Sequence, residues 1–302
     1  MSVNSDHAIY VGTAGWSYPR GGGKWDGVFY PNGMPDREKL SFYARYLDTV
    51  EVNSTFYRPV GPKTTRSWVD RTPDQFRFNV KLFQKFTHPK MFKEATGEVA
   101  KTDDDDVSAF KRSLEPFGDA EKLGALLAQF PPSFKRDAQN LEHLESLLRE
   151  LREYPITVEL RHKSWMETDE TREMFTEYDV AWTMIDEPKF KTSLRDVPLT
   201  GRLGYFRFHG RNYKNWWHGD RDTRYDYLYS AKEQTHLKED LEEVAEKAAV
   251  TFAVYNNHFG GKAIVNAVEM KKLLGGKVEA ELPPALLELM EHKQKQPDKD
   301  SG

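Results

Sequence analysis

Short apolar runs punctuate the chain near residues 8–13, 48–53, 76–82, 123–129, 155–161, 180–185, 203–208 and 251–256. Each is the length of a strand and rich in β-branched or aromatic residues. Most are nearly continuous rather than alternating, the pattern of strands buried on both faces, as in a parallel sheet. Amphipathic stretches lie between most of them, at 36–46, 63–70, 104–116, 135–152, 167–178, 226–248 and 262–274. The stretch 135–152 shows the logic: Leu141, Leu144, Leu147, Leu148 and Leu151 recur at helical spacing. Only 187–202 shows no clear helix.

Eight strand units with helices between them predict a single (β/α)8 TIM-type barrel over residues 1–291, parallel throughout, with a long loop after strand seven. Residues 292–302 read as a flexible, solvated C-terminal tail. The rival is a doubly wound open sheet. Its Gly-x-Gly-x-x-Gly turn is missing after the first strand, where Gly12-Thr-Ala-Gly15-Trp16 stands instead. No linker divides the chain.

Polar residues fall where the apolar runs stop. Glu51 and Asn53 close the second run, Lys81 the third, and Glu159, Arg161 and His162 the fifth. Arg207 and His209 close the seventh, and Asn256 and Asn257 the eighth. Ionisable groups at the ends of buried strands pack poorly, but the C-terminal strand ends of a parallel barrel form its active face.

Composition narrows the classes. With 302 residues there is room for one large α/β domain. A formal net charge of -4 exerts no global pull toward nucleic acid or an anionic membrane, so affinity for an anion has to come from a local cluster. There is no cysteine, which excludes disulfides and thiolate chemistry. No apolar run approaches the roughly 20 residues of a bilayer span. The N-terminus shows no basic region leading into an apolar stretch. The expectation is a soluble, cytoplasmic protein.

Several motifs resemble one family. They are Gly12-Thr-Ala-Gly-Trp-Ser-Tyr18, Gly27-Val-Phe-Tyr-Pro31 and Val50-Glu-Val-Asn-Ser-Thr-Phe-Tyr-Arg58. Thr72-Pro-Asp-Gln-Phe-Arg-Phe, Thr87-His-Pro89, Gln129-Phe-Pro-Pro132, Val158-Glu-Leu-Arg-His162, Arg207-Phe-His-Gly-Arg211 and Tyr255-Asn-Asn257 follow. Together they resemble the domain-of-unknown-function 72 proteins, also called YecE-like, over residues 8–275. The resemblance implies a TIM-type barrel and no particular reaction. Similarity to the xylose-isomerase and endonuclease-four type barrels is fold-level analogy.

The candidate chemistry follows from residue types. Glu51 and Glu159 are a carboxylate pair for acid–base work, or else halves of buried ion pairs with Arg161 or Arg207. Lys81, Arg161 and Arg207 suit a phosphate or carboxylate, or else balance the acids. His209, at a strand end before Gly210, is the preferred acid–base imidazole. His88, His162 and His258 stand at or just past other strand ends, and Asp186 ends strand six. Asn53, Asn256, Asn257, Tyr57 and Trp16 are further candidate substrate contacts. Lys81 as a Schiff-base nucleophile is a minor option.

From His209 to Tyr229 the chain interleaves basic and aromatic residues, among them Arg211, Tyr213, Trp216, Trp217, Arg221 and Tyr225. This is either a stacking surface or a packing flap held by its tryptophans. The Gly21–Gly23 run is weak evidence for a phosphate cradle. Asp103–Asp106 reads as a solvated helix start.

Three functions compete. The first is an enzyme, hydrolase or isomerase/lyase, acting by acid–base chemistry on an anionic small molecule at the strand ends. The second is a metal-dependent phosphodiesterase or nuclease-like hydrolase with a divalent metal, a reading that no His-x-His or His-Glu-x-x-His spacing supports. The third is a non-catalytic module binding nucleic acid, which is not favoured, or protein. No membrane partner is expected.

Overall fold

A computed structural model describes residues 8–21, 23–97, 104–194, 196–219 and 223–295. Gly22 of the glycine run, Asp103, Arg221 and residues 296–302 of the expected tail lie outside the described residues.

The strands are β1 (Ala8–Ala14), β2 (Thr49–Val52), β3 (Arg77–Lys81), β4 (Leu123–Gln129), β5 (Ile156–Glu159), β6 (Ala181–Trp182), β7 (Met184–Asp186), β8 (Leu203–Phe208) and β9 (Val250–Tyr255). Their hydrogen-bonded order is β6-β5-β4-β3-β2-β1-β9-β8-β7. The order follows the chain apart from one junction, where β1 pairs β9 in parallel with Ala8 opposite Val250 and Thr13 opposite Tyr255. The order and the intervening helices define a (β/α)8 TIM-type barrel. Its sixth strand is split: β6 and β7 flank the single residue Thr183, with β6 pairing β5 and β7 pairing β8.

The apolar runs explain the strands. Every residue of β2, β5 and β8 is buried, as strands covered on both faces require. Gly12 permits a close approach: a Cβ there would lie 1.9 Å from the Thr49 carbonyl oxygen.

The long helices are α1 (Asp36–Tyr43), α3 (Pro62–Val69), α6 (Asp104–Asp119), α7 (Ala138–Glu150), α8 (Glu170–Glu177), α9 (Ala231–Ala245) and α10 (Lys262–Leu273). Most are shorter than their periodicity suggests, and in α7 and α9 a side-chain cap sets the start. Asp137 accepts from the Asn140 amide at 2.8 Å and starts α7. Ser230 and Glu233 form a reciprocal capping box that starts α9 well inside the expected 226–248. The buried Lys122 donates to the Val69 and Thr72 carbonyls at 3.0 and 2.8 Å, satisfying the C-terminal end of α3.

Four helices carried no clear sequence signal. They are α2 (Ser54–Tyr57), α4 (Gln84–Thr87), α5 (Pro89–Thr96) and α11 (Pro284–Lys295). The last reaches four residues into the stretch read as tail. No helix among the described residues is long and apolar enough to cross a membrane.

The chain divides into two compact units. The first comprises residues 1–50, 185–188 and 206–302, the second 51–184 and 189–205. Each has its own cluster of polar strand-end residues.

Candidate active site

In the second unit the ends of β2, β3, β4 and β5 carry Glu51, Lys81, Gln129 and Glu159. Glu159 is fully buried, and Arg161 follows it by two residues with Nε and a terminal nitrogen 2.7 and 2.6 Å from the same carboxylate oxygen. The pair keeps a buried carboxylate and a guanidinium in mutual contact. Glu51 is equally buried and accepts from the Tyr205 hydroxyl at 3.2 Å.

Lys81 closes β3. Its Nζ donates to the Gln129 side-chain oxygen at 2.6 Å and sits 4.2 Å from the centre of the Phe56 ring. An amide and a ring face attract an ammonium without cancelling its charge. The Thr55 hydroxyl donates to the Lys81 and Val52 carbonyls at 2.7 and 3.0 Å, which ties α2 to the end of β3.

His88 reports the electrostatics of this cluster. It is 9 % exposed, its edge meets Phe56 at 5.0 Å, and its Nδ1 lies 2.9 Å from the Thr87 hydroxyl. Burial pushes its pKa down, Lys81 and Arg161 push it further, and Glu159 opposes them, leaving it at about 4. The ring is therefore neutral at pH 7, and the two cations outweigh the carboxylate at its position.

The other expected residues of this unit are less committed. Asn53 stands at the start of α2, with its side-chain oxygen buried and lacking a hydrogen-bond partner. Tyr57, on the last turn of α2, is 49 % exposed. His162 caps the following 3-10 turn through Ser164, a local structural task.

In the first unit a ring cluster stands at the ends of β1, β8 and β9. The His258 ring stacks on Tyr18 with centroids 4.2 Å apart, and its carbonyl accepts from the Trp25 indole at 2.7 Å. Tyr225 lies 5.1 Å from His258, 6.1 Å from His209 and 6.1 Å from Trp216. His209 is fully buried, and its Nδ1 lies 2.8 Å from the Asn256 amide nitrogen. Arg207 is buried on β8, and the Trp16 carbonyl accepts from the Tyr30 hydroxyl.

Beside these rings is a closed charge network. Arg211 donates bidentately to Asp186, at 3.0 and 2.7 Å, and reaches Glu233 at 3.2 Å. The Tyr229 hydroxyl donates to Asp186 at 2.7 Å, and the Tyr227 hydroxyl to Glu233 at 2.6 Å. Burial alone would lower the Arg211 pKa. Asp186 reverses that and holds the guanidinium charged. Tyr229 is pushed up by burial and then by Asp186, so it remains a donor.

Asp186 ends its strand as expected, and its carboxylate is held by Arg211 and Tyr229. The Asn257 amide donates to the Tyr227 carbonyl and the Asn266 side chain, both at 2.9 Å. These bonds and the network hold the described part of the 209–229 loop against the body of its unit. Trp216 is buried, whereas Trp217 is 59 % exposed.

Sequence reasoning missed Gln129, Tyr205, Tyr229 and Glu233. Gln129 carried a usable signal, as a polar residue closing an apolar run. The others belong to no strand-end pattern. Among the described residues no three or more imidazole or carboxylate groups gather as a metal-ligand set.

The fold and its polar strand ends place the chain among the (β/α) barrel proteins. The profile of the family described as "Protein of unknown function DUF72" matches residues 10–288, and the chain belongs to that family. The UPF0759 protein YunF of Bacillus subtilis is 30 % identical over 280 residues, 88 % of this chain and 94 % of that protein. The UPF0759 protein YecE of Escherichia coli K12 is 31 % identical over 156 residues, about half of either chain. A DUF72 family protein from Thermotoga maritima has a TM-score of 0.75 at 35 % identity, with coverage of 89 % of this chain and 100 % of that one. Another from Enterococcus faecalis has a TM-score of 0.77 at 26 % identity, covering 91 % and 98 %.

Proposed function

We propose that this chain is an enzyme that binds a phosphate- or carboxylate-bearing small molecule and acts on it by acid–base chemistry. Lys81 and Arg161 hold the anion in the second unit, and Glu51 and Glu159 supply carboxylates beside it. The observation that carries the reading is geometric: Lys81 and the buried His88 meet the same Phe56 ring, and burial, then Lys81 and Arg161, lower the His88 pKa. A position where cations outweigh a nearby buried carboxylate favours an anionic guest even though the whole chain is acidic. Arginine adds planar donors that match a carboxylate or phosphate. Proton transfer at such a site serves a hydrolase or an isomerase/lyase, and the geometry favours neither.

The test is a thermal-shift titration of the full chain with inorganic phosphate and with small mono- and dicarboxylates. Phosphate or a carboxylate raises the melting temperature of the parent, and Lys81→Met weakens that response about tenfold, the worth of one charge-assisted contact. A parent indifferent to every anion in the panel, or a response that Lys81→Met leaves unchanged, sinks the reading.

A further inference from the structure

We propose that the loop after β4 and the 3-10 turn Lys163–Met166 after β5 form a phosphate subsite in the second unit, with the His162 Nε2–H as its donor and Lys135 and Lys163 as its charges. Its guest is inorganic phosphate or the phosphate group of a monoester. The subsite goes beyond the reading above, which uses Lys81 and Arg161, and its test separates the two.

The turn itself settles the polarity of the His162 ring. The Ser164 backbone amide donates to Nδ1 at 3.2 Å, and an amide N–H can only donate. The Ser164 hydroxyl lies 2.9 Å from the same nitrogen and accepts from the Arg136 amide at 2.9 Å, so its own proton also goes to Nδ1. Nδ1 therefore accepts, and the proton of the neutral ring sits on Nε2. Among the described residues Nε2 has no hydrogen-bond partner, and it is not sealed from solvent. Capping the turn occupies one ring nitrogen and leaves the other as a donor of fixed direction.

The same bonds bring the charges in. Arg136 and Ser164 join the two loops. Beside them the Trp165 indole donates to the Phe134 carbonyl at 2.8 Å, and its ring stacks on Phe134 with centroids 5.1 Å apart. Lys135 stands between Phe134 and Arg136, so these contacts carry it to the turn. Lys163 follows His162, and its amide is held by the Thr192 carbonyl at 3.0 Å. Both lysines are exposed, and among the described residues neither pairs with a carboxylate.

The acids nearby are engaged or outnumbered. Glu170 pairs with Arg136, and Asp137 caps α7. Burial lowers the His162 pKa and Lys135 lowers it further; Glu167 opposes them and Lys163 adds to the fall. The ring thus stays a neutral donor at neutral pH. A phosphate accepts from Nε2–H and gains from two ammonium groups without breaking an ion pair. Lysines are point charges without the planar fork that fits a carboxylate, which favours the more highly charged phosphate.

The test is a long-range ¹H–¹⁵N correlation on the full chain with ¹⁵N-labelled histidine, titrated with inorganic phosphate or acetate at neutral pH and constant ionic strength. The His162 signals are assigned by their loss in His162→Asn, which keeps an acceptor for the turn and withdraws the ring donor. The parent is expected to show a neutral ring protonated at Nε2, whose signals move saturably with phosphate and only weakly with acetate. Lys135→Gln and Lys163→Gln each weaken phosphate about threefold, and together about tenfold, the scale of exposed charges. Lys81→Met leaves the His162 response unchanged. A proton on Nδ1, no saturable movement, or an undiminished response in the double lysine variant overturns the proposal. Acetate acting as strongly as phosphate removes the phosphate class. A response lost in Lys81→Met means one shared position and removes the separate subsite. A His162 response without any Lys81-dependent thermal shift removes the reading above alone.

Discussion

Polar strand-end residues meet different partners in the two units. In the first, Asp186, Arg211, Glu233, Tyr227 and Tyr229 satisfy one another, and their charges serve to hold a loop. In the second, Lys81 is met by an amide and an aromatic face, and its field persists far enough to act on His88. Arg211 meets carboxylates, whereas the contacts described for Lys81 are to an amide and a ring, and a counter-ion cancels charge that a neutral partner leaves in place. Arg161 stands between the two cases, since Glu159 accepts from it while its charge still acts on His88.

The largest expected effect breaks the lock. Asp186→Ala leaves the Arg211 guanidinium partly buried and the Tyr229 hydroxyl without its acceptor. We expect a loss of about 3 kcal/mol in chemical denaturation, the scale for a broken buried pair. A loss below about 1 kcal/mol would place the network among ordinary surface pairs.

The next concerns the field. The folded pKa of His88 lies near 4, below the ordinary value of 6.5, so the unfolded chain takes up a proton the native chain refuses. Stability from this group is complete above pH 6.5 and lost as the pH falls toward 4, by about 3 kcal/mol at most. Denaturation midpoints across that range should fall more steeply in the parent than in His88→Gln. Equal slopes would mean that His88 titrates normally.

A smaller change sharpens the same point. Lys81→Met removes one of the two cations acting on His88, so the His88 pKa, followed by NMR, moves up. If it stays near 4, burial alone sets it and no field has been shown. The smallest effect belongs outside both clusters. Trp217→Ala removes an exposed indole next to the buried Trp216, and we expect a stability change within about 0.5 kcal/mol. A larger loss would make Trp217 part of the lock.

How much was legible before the structure depends on the range of the contacts. The strands were readable because burial on both faces leaves continuous apolar runs, and β4 and β8 fall on the expected residues. The sixth run concealed its division at Thr183, because Val180 to Ile185 is uniformly apolar apart from threonine. The short α2 and α4 have too few residues to display a period. Strand-end positions disclosed Glu51, Lys81, Glu159 and His209. They did not disclose partners. Arg211 finds Asp186 from 25 residues away, and Lys81 finds Gln129 from 48 away. Whether Arg211 would hold a guest or an aspartate is a question of distance in space, on which spacing along the chain is silent.

The pairing of β1 with β9 has a consequence for biogenesis. A ribosome delivers residues 8–14 first and must translate most of the message before Val250–Tyr255 emerges to lie beside them. Through that interval the N-terminal strand keeps one edge of unmet amides and carbonyls, an open template for a stray chain. The strands of the second unit, each hydrogen-bonded to the next in order of translation, can assemble as they appear. Premature termination anywhere before Val250 therefore yields a polypeptide with a sticky rim, a natural client for chaperones.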